Sequence, residues 1–368
     1  MISKPPNSDS GPTPHRDPAH GRGARTDPAN RFDRREVDPT WFDDEPPADA
    51  PPTTYHRDRS QSVLTRNESP DVPFSFGLNP YRGCEHGCAY CYARPTHEYL
   101  GHSAGLDFET KIYVKENAPA RLREELSRPS WQPQPVVLSG VTDPYQPVER
   151  RRQLTRRCLE VFAEFRNPVA LITKSYLVVR DIDHLWALAQ HQAAMVTLSV
   201  TTLDATLHRR LEPRASTPAR RLEAIRRLTE AGIPVTVNVA PVIPGLTDHE
   251  IPAILEAAAD AGAVAASWIL LRLPYAVKEL FDDWLERHVP DRRDRVLAAI
   301  RDSRGGDSSD GPLNDTRFGS RMRGEGIRSD SIDSLFRTSA RRLGLANELP
   351  PLSASAFRPP GPVQLDLF

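Results

Sequence analysis

The chain has 368 residues, a formal net charge of −1, 36 prolines and four cysteines. The near-neutral balance excludes a general electrostatic affinity for nucleic acid or membranes, and four cysteines, three of them within eight residues, are no disulfide framework. There is no apolar run of about 18 residues and no apolar leader at the N-terminus, which argues against a membrane partner and for a cytoplasmic protein.

Residues 1–70 repeat Pro, Asp, Arg and Ser with hardly an apolar cluster. Such a stretch cannot bury enough surface to offset its ordering entropy, so disorder is expected. From 71 to 300 the pattern becomes regular. A strand is predicted over Val72–Asn79, leading into Gly83–Pro95, which reads GCEHGCAYCYARP. A helix follows at Glu116–Ser127, with Pro119 in its first turn. Strands at Pro135–Gly140, Pro168–Lys174 and Met195–Thr202 then alternate with helices at Glu149–Phe165 and Asp181–His191. The next helix starts at Thr217, with Pro218 at its first position and Gly232 just past its end. Strand Ile233–Ile243, a helix over Asp248–Ala261 closed by Gly262, and strand Val264–Leu273 complete the series.

These strands read as continuous apolar runs, the pattern of strands buried on both faces. Six of them separated by helices imply right-handed parallel crossovers, hence an α/β fold, a partial (β/α)6 barrel. A helical segment, Leu280–Arg301, precedes a flexible linker, GGDSSDGP. Residues 301–357 form a C-terminal extension with a short helix over SIDSLFRTSARRLGL, and 358–368 a Pro-rich tail ending in QLDLF.

Cys84, Cys88 and Cys91 are spaced C-x3-C-x2-C. Soft thiolates suit zinc, copper(I) or iron–sulfur clusters. Structural zinc closes on four ligands, so His86 or His97 would complete a noncatalytic zinc-stabilised binding module. A 4Fe–4S cluster on three cysteines leaves one iron free to bind substrate or cofactor. Both readings stand on these residues. The fourth cysteine, Cys158, lies in RRCLEVF on an amphipathic helix and reads as packing.

With Tyr90 directly before its last cysteine, the motif resembles the signature of the radical S-adenosylmethionine (SAM) superfamily. The resemblance runs from residue 74 to about 273. It implies a 4Fe–4S cluster on the three cysteines and SAM chelated by the free iron. It also implies an electron donor such as flavodoxin or ferredoxin, and reductive cleavage of SAM to a 5′-deoxyadenosyl radical. SGVTDPYQPVE, ITKS, SVTT and PVIPGLTD stand at strand ends, where family members contact SAM. By that likeness Tyr90 lies near the adenine, Ser139 and Lys174 approach the methionyl carboxylate, Ser199 the ribose or amino group, and Ile243 packs along the adenine.

NPYRGCEHGCAYCYAR and TDPYQPVE are similar to the branch related to spore photoproduct lyase, which reverses a thymine dimer in DNA. That likeness implies repair or modification of a nucleic acid, with a protein or small-molecule substrate as the alternative. One departure is that the lyase uses an extra cysteine as hydrogen donor, and Cys158 is the spare here. The terminal QLDLF resembles the peptide by which bacterial repair and replication proteins bind the sliding clamp of DNA polymerase. Leu365, Leu367 and Phe368 would fill an apolar pocket while Gln364 hydrogen-bonds beside it. The Arg-dense stretches ERRRQLTRR and HRRLEPRASTPARRLEAIRR read as solvated helix faces, and RFGSRMRGEGIR would add phosphate contacts.

Overall fold

The computed structural model describes residues 22–24, 52–306, 311–348 and 351–359. Two strands, β1 (Thr54–Arg57) and β2 (Leu64–Arg66), lie in the stretch expected to be disordered. The expectation of disorder to residue 70 is therefore corrected over 52–70. The order comes from distant partners: the Val63 and Leu64 amides donate to the Glu125 carboxylate at 2.8 and 3.2 Å. A local reading of composition does not see such contacts.

The chain continues through β3 (Phe76–Leu78), β4 (Tyr81–Arg82), α1 (Leu106–Thr110), β5 (Lys111–Val114), α2 (Ala118–Leu126) and β6 (Val136–Leu138). Then come α3 (Glu149–Arg152), α4 (Leu154–Phe165), β7 (Val169–Thr173), α5 (Ile182–Ala189), β8 (Ala194–Val200), α6 (Ala205–Leu211) and α7 (Pro218–Glu230). β9 (Val235–Val242), α8 (Ile251–Asp260) and β10 (Ala265–Leu270) finish the alternation, followed by α9 (Val277–His288), α10 (Arg293–Asp302), α11 (Ser320–Arg323) and α12 (Ile327–Arg342).

The main sheet has seven strands in the order β10-β9-β8-β7-β6-β3-β2. Six run parallel, as expected, and β2 adds antiparallel to β3 at one edge. A smaller sheet, β1-β5-β4, stands beside it. Among the described residues no helix is long and apolar enough to cross a membrane.

The expected helix Glu149–Phe165 breaks at Gln153, which adopts φ 52° between α3 and α4. Leu280–Arg301 is likewise two helices, because Pro290 opens a separate turn after Val289. The last helix begins at Ile327, four residues before SIDS. The first strand shrinks to Phe76–Leu78, since Pro73 has no amide proton to give a ladder.

The strands are not apolar on both faces. Val196, Leu198, Val200, Val235, Val237, Val239, Trp268 and Leu270 join the large core under the helices. Alternate residues Thr197, Ser199, Thr236, Asn238 and Ser267 turn the other way. They bond to one another: Thr197 Oγ1 to Thr236 Oγ1 at 2.7 Å and Ser267 Oγ to Asn238 Oδ1 at 3.1 Å. The hollow of the curved sheet is therefore polar, and the period-2 signal in MVTLSVTT carries it.

The C-terminal extension closes this sheet in two ways. Ala346 bridges to Ala265 at the β10 edge, and α11 packs against β10. From the β2–β3 connection, Asp71 accepts from the Gly319 amide at 2.6 Å and pairs with Arg321, which also reaches Ser69 Oγ at 2.6 Å. A polar latch thus spans the gap between the two edge strands. Farther on, the Ser353 amide donates to Gln192 O and the Arg358 amide to Phe165 O, both at 2.9 Å. Those acceptors precede β8 and β7, so residues 346–348 and 351–358 form a belt under the N-terminal ends of the strands. Gln364, Leu365, Leu367 and Phe368 lie outside the described residues, as does most of the N-terminal extension.

Candidate active site

The cysteine loop leaves β4 at the C-terminal ends of the parallel strands, where the active sites of such folds collect. Its backbone is held from several sides. Cys84 N donates to Phe108 O at 2.9 Å and Ala89 N to Leu211 O at 2.9 Å. Gly83 O accepts from Thr142 Oγ1 and Gln146 Nε2, while Glu85 ties the Val148 amide at 2.7 Å and Arg214 at 3.2 Å. The TDPYQPVE stretch therefore works as scaffolding for the loop.

Arg94, wholly buried, clasps the Cys88 carbonyl through Nε at 3.1 Å and Nη2 at 2.9 Å, and pairs at 2.5 Å with buried Glu109. The two Glu109 oxygens also receive the Gly23 and Ala24 amides at 3.1 and 2.8 Å. Residues 22–24 thus form a strap on the loop. Gly23 is required there, because a Cβ would drive into the Gly87 carbonyl.

Cys84 and Cys91 share one apolar cluster with Phe108, and Cys88 and Cys91 share another with Tyr90 and Ile243. Burial raises the Cys88 thiol well above its usual value and, with the nearby Cys84 charge, pushes Cys91 up to about 11. Cys88 and Cys91 so placed resist ionising together unless a cation compensates them. Among the described residues no group of three or more His, Cys, Asp or Glu is arranged to hold a single metal ion. The two histidines considered as a fourth ligand are engaged. His97 Nε2 meets Lys111 O at 2.9 Å. His86 lies 3.4 Å from Asp143. Its burial works to lower its pKa, but the charges of Asp143 and Cys84 lift it to about 10.

Tyr90, Lys174, Ser199 and Ile243 come together beside this loop. Lys174 Nζ donates to Ala240 O at 2.8 Å and stands 5.7 Å from the Tyr90 ring centroid. Its backbone amide donates to Asp143 Oδ2 at 2.7 Å. Ser139 sits at the end of β6 at φ 147°, a strained value for serine, with Oγ donating to Thr142 O at 3.2 Å. Cys158 is buried in the core on α4, remote from this set.

Sequence reasoning missed the pair beneath them. Buried Glu212 accepts from Tyr90 Oη, from Thr201 Oγ1 at 2.7 Å and from Arg221, and lies 3.6 Å from Lys174 Nζ. Arg221 also donates to Ser199 O at 2.9 Å and Ser216 O at 2.8 Å. Burial would raise the Glu212 pKa, but Arg221, Lys174 and His208 hold it far below the usual carboxylate range. Glu212 and Arg221 both belong to the Arg-dense stretch read as a solvated face, which is corrected here. Only Pro213, which ends α6 next to Glu212, hints in the sequence at a buried acid.

The Radical SAM superfamily profile matches residues 78–258. An uncharacterised protein of Mycobacterium tuberculosis is 39% identical over 253 residues, covering 67% of this chain and 74% of that protein. The radical SAM Nα-GlyT isomerase of Pseudomonas phage M6 is 26% identical over 198 residues, 53% of this chain and 39% of that one. Among solved structures, a spore photoproduct lyase mutant with bound AdoMet and dinucleoside spore photoproduct superposes with a TM-score of 0.57. It is 14% identical and covers 79% of this chain and 80% of its own, a likeness of fold.

Proposed function

The chain belongs to the radical SAM superfamily, and on that premise we propose that it is an enzyme acting on DNA or another nucleic acid, with Cys84, Cys88 and Cys91 holding the superfamily's 4Fe–4S cluster. The observation that carries the reading is that Cys91 links the apolar cluster of Cys84 to that of Cys88 and Tyr90, with Lys174 Nζ 5.7 Å from the Tyr90 ring. The donor set fits: three soft thiolates with no fourth leave an iron corner free. When bound and reduced, the cluster supplies the electron that splits S-adenosylmethionine and releases a 5′-deoxyadenosyl radical for hydrogen abstraction.

The residues divide the remaining work. Part-buried Lys174 and buried Arg221 carry two positive charges against the single negative charge of Glu212, so the site has a surplus for the methionyl carboxylate. Tyr90 and Ile243 form an apolar wall for the adenine. Ser139, just after β6, and Ser199, near the end of β8, offer hydroxyls on either side of β7. A reducing compartment such as the cytoplasm suits the thiols, and an acidic one-electron protein such as flavodoxin or ferredoxin would serve as reductant. The nucleic-acid substrate is supported by the sequence likeness to the spore photoproduct lyase branch. It is supported also by the clamp-like terminus, whose deletion should abolish any binding to a purified sliding clamp.

The test is anaerobic preparation with iron and sulfide analysis, followed by dithionite reduction with S-adenosylmethionine. About four irons per chain and formation of 5′-deoxyadenosine are expected. Zinc in place of iron, with S-adenosylmethionine untouched, would overturn the reading.

A further inference from the structure

Two residues beyond β10, Arg272 stands half-buried at the rim of the site. Its guanidinium carbon lies 5.3 Å from the centroid of the Tyr92 ring, and Tyr92 directly follows Cys91. Among the described residues Arg272 makes no ion pair. Nη1 reaches only the Met322 sulfur at 3.8 Å, and the buried Nε has no partner. Asp71, whose charge acts on Arg272, is committed to Arg321 and the Gly319 amide. Other buried arginines are answered: Arg94 by Glu109, Arg221 by Glu212, and Arg304 by the Leu271 and Arg321 carbonyls. Burial and the neighbouring Arg321 charge both lower the Arg272 pKa. A partly desolvated cation without a counter-charge costs free energy that an incoming anion would recover.

The surroundings specify that anion. Tyr92 is 48% exposed, and the bond of its hydroxyl to Gly140 O at 2.6 Å holds its ring in a fixed orientation. Past Met322 the arrangement repeats: the Arg321 guanidinium lies 4.4 Å from the centroid of Phe318, itself 59% exposed. Planar cations alternating with open rings match a strand of phosphates and bases. Arginine takes phosphate oxygens through its fork, and rings accept bases by stacking.

We propose that Arg272 and Tyr92 form a phosphate-and-base clamp at the rim of the site, which holds a nucleic-acid strand against the cysteine loop. This rests on the nucleic-acid reading above and names the residues that would carry it. Arg272 serves as the phosphate anchor, and Tyr92 as the stacking surface.

The test uses the full-length protein, prepared anaerobically, and fluorescence anisotropy with a fluorescein-labelled single-stranded oligonucleotide of about 12 nucleotides. R272A should weaken binding about 5- to 20-fold and lower the log–log salt slope by about one. R272K should fall between, keeping the charge without the fork. Melting curves check that each variant folds, and R272K answers if R272A does not. Native-like affinity and salt slope in the folded variant would overturn the clamp while leaving the nucleic-acid reading in place. Failure of the native protein to bind single-stranded or duplex probes, while it still cleaves S-adenosylmethionine, would overturn both.

Discussion

At the scale of single residues, the site rests on charges that cancel out of solvent. Removing one member of the Glu212–Arg221 pair strands the other in the interior, where such losses cost about 3–5 kcal/mol. E212Q should therefore lower the unfolding free energy by about that amount, read by chemical denaturation at neutral pH. The acid limb has a definite sign. Folding depresses the Glu212 pKa below its ordinary 4.5, so its contribution is complete above that pH and drains away as acidity increases. The native protein should lose stability below about pH 4.5 more steeply than E212Q; parallel curves would show that Glu212 is not the titrating group. The placing of the three cysteines and Tyr90 on one loop was legible because it lies in local spacing. Glu212, Arg221, Arg94 and Glu109 were not, because a charged side chain in an Arg-rich stretch looks solvated until the tertiary fold buries it.

At the scale of elements, the helices ended where their stop signals stood, and Gly232 and Gly262 do adopt φ of 78° and 100°. Where the signal was absent the boundary was misread, as at Gln153. The end of α4 at Phe165 was read correctly, although Arg166 closes it at φ 51° without the glycine usual there. R166G should raise stability by about 0.5–1 kcal/mol by relieving that left-handed residue, measured as a shift in denaturation midpoint at unchanged slope. The strap shows what composition alone hides. Three residues inside a Pro- and Arg-rich extension are ordered because Glu109 takes two of their amides. G23A should expel the strap and speed amide exchange at Gly23, Ala24 and residues 84–88, followed by mass spectrometry. Unchanged exchange at 84–88 would mean that the loop keeps its shape unaided.

At the scale of the whole molecule, six parallel strands were readable from alternating strand and helix patterns. The closure of the open sheet was not. It depends on pairs about 250 residues apart in sequence, such as Asp71 with Arg321. No local periodicity encodes a contact of that range. Because Arg321 is tied by several groups, D71A should loosen both ends together. Exchange should rise in residues 67–75 and 315–323, with a loss of stability of about 1–3 kcal/mol. A change confined to one of the two segments would show that the latch does not couple the edges.

The belt makes the two ends of the chain mechanically unequal. Arg358 sits beneath β7, at the pole away from the cysteine loop, so a pull applied there is borne by the sheet. A molecule gripped by that end keeps the cysteine loop at the far pole. A pull applied before Gly23 runs straight into the two hydrogen bonds on Glu109 and through Arg94 to the Cys88 carbonyl. Attached by its C-terminus to a surface, the protein should work as it does in solution; attached by its N-terminus, it carries every tug into the cysteine loop.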